Sequence, residues 1–192
     1  MKLTKKSKNF LLKLSRTALE HLFKFGKELD PNTIDIPEKF KEKKATFVTL
    51  TKNSILRGCI GKLKPTCELY KDIIENTYSA SFSDPRFPQL QKEELKDIKI
   101  EISILDTPQK FEYKTHKELT DKLSKEKCGV IIQSGFCSAT FLPQVWEELK
   151  TPEEFLSHLC LKAGLENNAW KDKNIEIYLY NVLKFKENKN DK

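Results

Sequence analysis

Between Asp97 and Asp106 an isoleucine stands at every second position, 98, 100, 102 and 104, with Lys99, Glu101 and Ser103 in the gaps. Successive side chains of an extended chain point to opposite faces, whereas a helix would scatter these four isoleucines around its axis. The segment therefore predicts a half-buried strand: one face is made for a core, and the other carries Lys99, Glu101 and Ser103.

The rest of the chain has to supply partners for that strand. ATFVTL from Ala45, a turn at TKNS and a return along ILRGCIG predict an antiparallel hairpin. CGVIIQ, the turn SGF and CSATFL predict a second hairpin closed by Pro143, and NIEIYLYNVLKF predicts a single final strand. Helices fall between them. Thr4 can cap a helix to about Phe25, with Leu11, Leu14, Ala18, Leu22 and Phe25 on one stripe and Gly26 as its stop. Thr66 can cap another to about Phe82. Thr115 and Glu118 have capping-box spacing before a short helix ending near Leu123, and Thr151, Pro152 and Glu154 sit at N-cap, N1 and N3 of one that ends at Gly164. The proline-marked run DPNTIDIPEKFKEKK reads as a connection. Helices interleaved with mostly antiparallel strands give an α+β class, expected as a two-lobed single domain over residues 1–187. The charged tail ENKNDK is expected to be disordered, as 188–192 outside that domain.

A chain of 192 residues can bury a substantial core without disulfides. Its five cysteines, at 59, 67, 128, 137 and 160, are odd in number and follow no signal peptide, which predicts reduced thiols in a cytoplasmic protein. No apolar run approaches the roughly 18 residues of a membrane span. The net charge of +7 comes from lysines dispersed among 28 acids, so a solvated surface is favoured over specific nucleic-acid binding. Arginine is scarce: only Arg16, Arg57 and Arg86 occur among 35 basic residues. Arg57 and Arg86 stand beside glycine and proline, where a planar fork of donors does what lysine cannot.

Those two arginines single out LRGCIG (56–61) and SDPRFP (83–88). Read as a regular strand, the hexapeptide places Ile55, Arg57 and Cys59 on one face and Leu56, Gly58 and Ile60 on the other. Leu56 and Ile60 then belong to the core, with Gly58 leaving room for another element to approach. Arg57 beside Cys59 is either a plain structural pair or a partly exposed thiol activated by a guanidinium, as a nucleophile or a substrate contact. In SDPRFP, Asp84 and Arg86 form either a structural clamp or a stiffly held anion-binding arginine. Glu101 and Ser103 share the two-residue spacing of Arg57 and Cys59, so Glu101 is expected to hold Arg57 in a bidentate pair. The candidate site is thus Cys59 as tentative nucleophile, with Arg57, Arg86, Asp84, Glu101 and Ser103 binding a small anion. His21, His116 and His158 lack metal-ligand spacing, Cys160 falls on an apolar helix stripe, and no phosphate loop or dinucleotide fingerprint appears. No metal and no cofactor are expected.

LRGCIG, SDPRFPQL (83–90), IEISIL (100–105), LPQVW (142–146) and FLSHLCLKAGL (155–165) resemble, in order, the signature blocks of the AMMECR-one domain family, whose prokaryotic members are called protein A of the AmmeMemoRadiSam system. The resemblance runs from about Lys8 to Phe185. One block departs from the pattern: the turn SGF, followed by Cys137 and Ser138, lacks the glycines and arginine usual there. The resemblance implies a two-lobed α+β fold with LRGCIG near a cleft. It also implies association with a Memo-like protein and a radical S-adenosylmethionine enzyme, and it supplies no reaction. The leading expectation is a component that binds a small anionic ligand or a protein partner. A cysteine-dependent enzyme using Cys59 is the alternative, and a nucleic-acid-binding regulator ranks third.

Overall fold

The computed structural model describes residues 2–188. Its α+β architecture consists of four α-helices and two four-stranded sheets. The alternating isoleucines form a strand, β3 (Ile98–Leu105), which pairs antiparallel with β1 (Ala45–Lys52); β1 in turn pairs antiparallel with β2 (Ile55–Gly61). The sheet order is β2-β1-β3-β8, where β8 is Val182–Lys186. Val48 and Leu50 of β1 lie opposite Ile102 and Ile100, and all four are buried. Against that face pack the helices α1 (Lys5–Phe25) and α2 (Leu69–Phe82), through Leu11, Ala18, Leu69 and Ile73 among others. Each such leucine or isoleucine contributes about 1.5–3 kcal/mol by leaving water.

The chain divides into two compact units. One comprises residues up to Leu105 together with those from Leu183 onward; the other is Asp106–Val182. The second unit holds a sheet of order β4-β7-β5-β6, made from Gln109–Lys110 (β4), Glu176–Tyr180 (β7), Gly129–Ser134 (β5) and Cys137–Phe141 (β6). Its helices are α3 (His116–Lys125) and α4 (Pro152–Lys162). Trp146 stacks on Phe155 at 3.9 Å between ring centroids and donates its indole N–H to the carbonyl of Cys128. Cys160 lies wholly in this core, where the apolar stripe placed it.

Capping chemistry explains several boundaries. Thr4 accepts the N–H of Ser7 at the start of α1, Gly26 closes that helix with φ +68°, and Thr115 and Thr151 each accept the N–H three residues on. Four expectations are corrected. NIEIYLYNVLKF is two strands, β7 and β8, broken at Asn181, whose carbonyl accepts the N–H of Asp106; the halves belong to different sheets. Thr66 caps nothing, because a bridge between Lys43 and Glu68 and the bond from Leu69 N to Glu42 O hold that stretch extended until α2 begins at Leu69. Phe25 ends the apolar stripe of α1 more than half exposed. Glu187, the first residue of ENKNDK, is fixed and buried: Arg16 grips both its oxygens, and it accepts the N–H of Ile100. The remainder of the expected disordered tail, 189–192, lies outside the described residues.

Candidate functional site

The site starts from a defect in pairing. β1 and β2 are joined by a tight turn in which Asn53 and Ser54 both take positive φ, the geometry whose twist suits a two-residue hairpin. The register pairs Leu56 with Thr51 but Gly58 with Leu50, so Arg57 is an extra residue on β2 and the strand carries a bulge there. A bulge resets the alternation. Leu56, expected in the core, is 38% exposed and Ile55 is 73% exposed, while the Arg57 side chain turns inward. Gly58 does leave room for a close approach: a Cβ there would stand 2.0 Å from the backbone oxygen of Ala80 on α2.

Arg57 engages all three nitrogens of its fork. Nε and Nη2 donate to the two carboxylate oxygens of Glu94 at 3.1 and 2.9 Å, Nη1 donates to the carbonyl of Pro88 at 2.9 Å, and Nη2 also reaches that of Gln89 at 3.3 Å. Lys52 donates to the same carboxylate. The Arg57 guanidinium, with help from the Gln91 N–H and Lys52, holds the Glu94 carboxyl down at about 2 against the pull of burial. The arginine thus ties the SDPRFPQL loop to the sheet with four of its five N–H donors, and its burial closes it to an anion from solvent. Glu101, expected as its partner, is not: β1 lies between β2 and β3, and Glu101 pairs with Lys184 of β8 at 2.9 Å. Ser103 is buried opposite Phe47 and takes no part in the Arg57 cluster. Glu94 was missed by the sequence reading; its one signal is the spacing Gln91-x-x-Glu94, which closes a capping box.

Asp84 and Arg86 are a different kind of clamp. Nε and Nη2 of Arg86 donate to the two Asp84 oxygens at 2.9 and 2.8 Å. Asp84 also accepts the backbone N–H of Cys59 at 2.8 Å, and Arg86 Nη2 donates to the Cys59 carbonyl at 3.3 Å. β2 is an edge strand, and this pair takes the outward N–H and C=O of Cys59 as a neighbouring strand would. The Arg86 guanidinium, then the N–H groups of Cys59 and Arg86, hold the Asp84 carboxyl well below the usual carboxylate range. The Arg86 side chain remains 55% exposed, with Nη1 outside these bonds.

The thiol of Cys59 is partly exposed and lies 3.2 Å from the hydroxyl of Thr49. Thr49 faces Cys59 on one side and Glu101 on the other, so a thiol, a hydroxyl and a carboxylate form a row across β2, β1 and β3. A hydroxyl is no general base for the thiol. The ring of His21 bonds the Lys27 carbonyl, and that of His116 meets Trp170 edge-on. The arrangement suits recognition of a negative group by Arg86 beside a polar thiol better than proton abstraction from that thiol.

The model of the AMMECR1 family matches residues 12–185. A protein of Methanosarcina mazei is 39% identical over 183 residues, 94% of this chain and 91% of its own, and a protein of Methanopyrus kandleri is 39% identical over 196 residues, 97% and 91%. The crystal structure of an uncharacterized protein from Pyrococcus horikoshii superposes with a TM-score of 0.81 at 34% identity, covering 97% of this chain and 94% of that one.

Proposed function

Because this chain belongs to the AMMECR1 family, we propose that it is a binding component of a modification system, acting with a Memo-like protein and a radical S-adenosylmethionine enzyme, and that it takes a small anionic group at Arg86 beside Cys59. That group is a carboxylate or phosphate, carried by a free ligand or by a protein partner. The observation carrying this reading is the contrast in exposure, 11% for the Arg57 side chain against 55% for Arg86. Arg57 is spent on Glu94 and two carbonyls, whereas Arg86 is braced by Asp84 with an exposed guanidinium. A braced arginine loses little freedom on binding, which favours recognition. Cys59 then serves as a contact rather than a nucleophile.

The test is a titration of the amide and arginine side-chain NMR signals with inorganic phosphate and with acetate, alongside pull-down with the two partners. Shifts centred on Cys59 and Arg86 that vanish in Arg86→Lys, together with capture of a partner, are expected. Turnover of a simple thioester by the protein alone, abolished in Cys59→Ser, would establish the cysteine enzyme instead.

A further inference from the structure

Beyond the C-terminal end of β2 lies a second cluster with no role in the Arg86 site. Cys67, in the segment after β2, points its sulfur at Oδ1 of Asp72, 3.8 Å away. Asp72 and Glu75 are three residues apart on α2 and therefore share a face. One ligand atom from each of the three lies within 4.8 Å of the others. Asp72 is wholly buried, and its two oxygens have unlike surroundings. Oδ2 accepts the N–H of Thr46 at 2.9 Å, the Thr46 hydroxyl at 2.6 Å and the Asn76 amide at 2.9 Å. Oδ1, aimed into the cluster, has only the long thiol contact and the ammonium of Lys62 at 3.6 Å, beyond hydrogen-bond range.

That pattern is what a metal ligand needs from its surroundings: the non-ligating oxygen is fixed by outer partners, and the other meets only a thiol and an ammonium, the one a ligand to a metal and the other replaceable by it. The spacing agrees. With a Zn–S bond of about 2.3 Å and a Zn–O bond of about 2.0 Å at a tetrahedral angle, sulfur and oxygen stand about 3.5 Å apart. The 3.8 Å separation here is close to that spacing. Lys62 shows that the place favours a cation, since its ammonium sits 2.6 Å from Glu75 as well as near Asp72.

We propose that Cys67, Asp72 and Glu75 bind a divalent cation of the zinc class, which displaces the Lys62 ammonium. On binding, the thiol proton is released to solvent, the thiolate and two carboxylates coordinate the metal, and a fourth position stays open. A mixed sulfur and oxygen set selects zinc or cobalt over magnesium or calcium. Sequence spacing conceals the site because its ligands come from a connecting segment and a helix rather than from a repeated cysteine or histidine motif.

Cobalt reports directly on such a site, because a cobalt-thiolate bond has a charge-transfer absorption. Titration of the full chain with cobalt is expected to give that band at one equivalent, to lose it in Cys67→Ser, and to saturate at lower cobalt in Lys62→Met, where the competing charge is gone. No band in the parent protein, a band that survives Cys67→Ser, or weaker binding in Lys62→Met would overturn the proposal. Should Cys67→Ser fold poorly, alkylation of the parent protein mapped by peptide mass decides the matter. Zinc is expected to shield Cys67 and leave the modification of Cys59 and Cys137 unchanged, and equal labelling of Cys67 with and without zinc overturns the site.

Discussion

Arg57 and Arg86 bind the two ends of one loop to one strand, and they differ in what is left over. Arg57 is buried and meets Glu94 and the carbonyls of Pro88 and Gln89 with all three of its nitrogens. Arg86 meets Asp84 and the Cys59 carbonyl and keeps more than half of its side chain in solvent. The same residue type beside the same cysteine, once from within the strand and once from the loop, thus serves assembly in one case and stays in solvent in the other. What decides is whether the guanidinium is buried or left in solvent, and local sequence does not display that.

The largest effect expected concerns the frame on which both arginines depend. Gly58 lets β2 lie against the α2 backbone, and an alanine methyl would stand 2.0 Å from the Ala80 carbonyl oxygen, which no rotamer can relieve. Gly58→Ala is expected to cost about 3 kcal/mol or more, read by urea unfolding, and to disturb both clamps together. Near-parental stability would mean that α2 shifts freely, and that the contrast between the clamps does not rest on this approach.

Arg57→Ala comes next. It leaves the Glu94 carboxylate largely buried with only Lys52 and a backbone N–H, and a loss of about 3 kcal/mol is expected. The pH dependence checks the cause. Glu94 titrates near 2 in the folded chain against an ordinary 4.5, so its contribution is fully present above about 4.5 and is lost as the pH falls toward 2. Parental stability should fall through that window, and Arg57→Ala should flatten the fall. An unchanged slope would assign the acid sensitivity to another group, with Asp84, also held low, the first to examine.

Much of this was legible in the sequence, and the failures share a cause. The alternation of isoleucines, the caps at Thr4, Thr115 and Thr151 and the close approach at Gly58 are local signals, and each proved sound. The pairing of Arg57 with Glu101 failed because strand order is not local: β1 separates the two strands, and one extra residue at Arg57 reverses the face of everything before it. Glu94 and Glu187 were missed for the same reason, as each is defined by an arginine 37 or 171 residues away. The scarcity of arginine was the one compositional feature that pointed to long-range partners, and all three arginines have them or a clamp of their own.

Arg86→Ala should reverse the balance seen at Arg57. Its guanidinium is half exposed but Asp84 is buried and would keep only the N–H groups of residues 59 and 86, so about 1–2 kcal/mol of stability is expected to be lost, less than in Arg57→Ala, while phosphate-induced shifts at Cys59 disappear. A large loss of stability with binding preserved would make both clamps structural and end the distinction between them.

Cys59→Ser has the smallest expected effect. The sulfur touches the Thr49 hydroxyl and is partly exposed, and serine keeps the size and polarity of the group, so stability should stay within about 0.5 kcal/mol of the parent. The Asp84 and Arg86 clamp grips only the backbone of residue 59, so the substitution leaves the guanidinium where it was. Anion binding should therefore weaken slightly rather than vanish, and the Arg86→Ala loss should remain the same in the Cys59→Ser background, the additivity expected of groups that contact a ligand separately. Abolition of binding by Cys59→Ser alone would place the thiol, not the arginine, at the centre of the site, and the contrast between Arg57 and Arg86 would then describe how that thiol is framed.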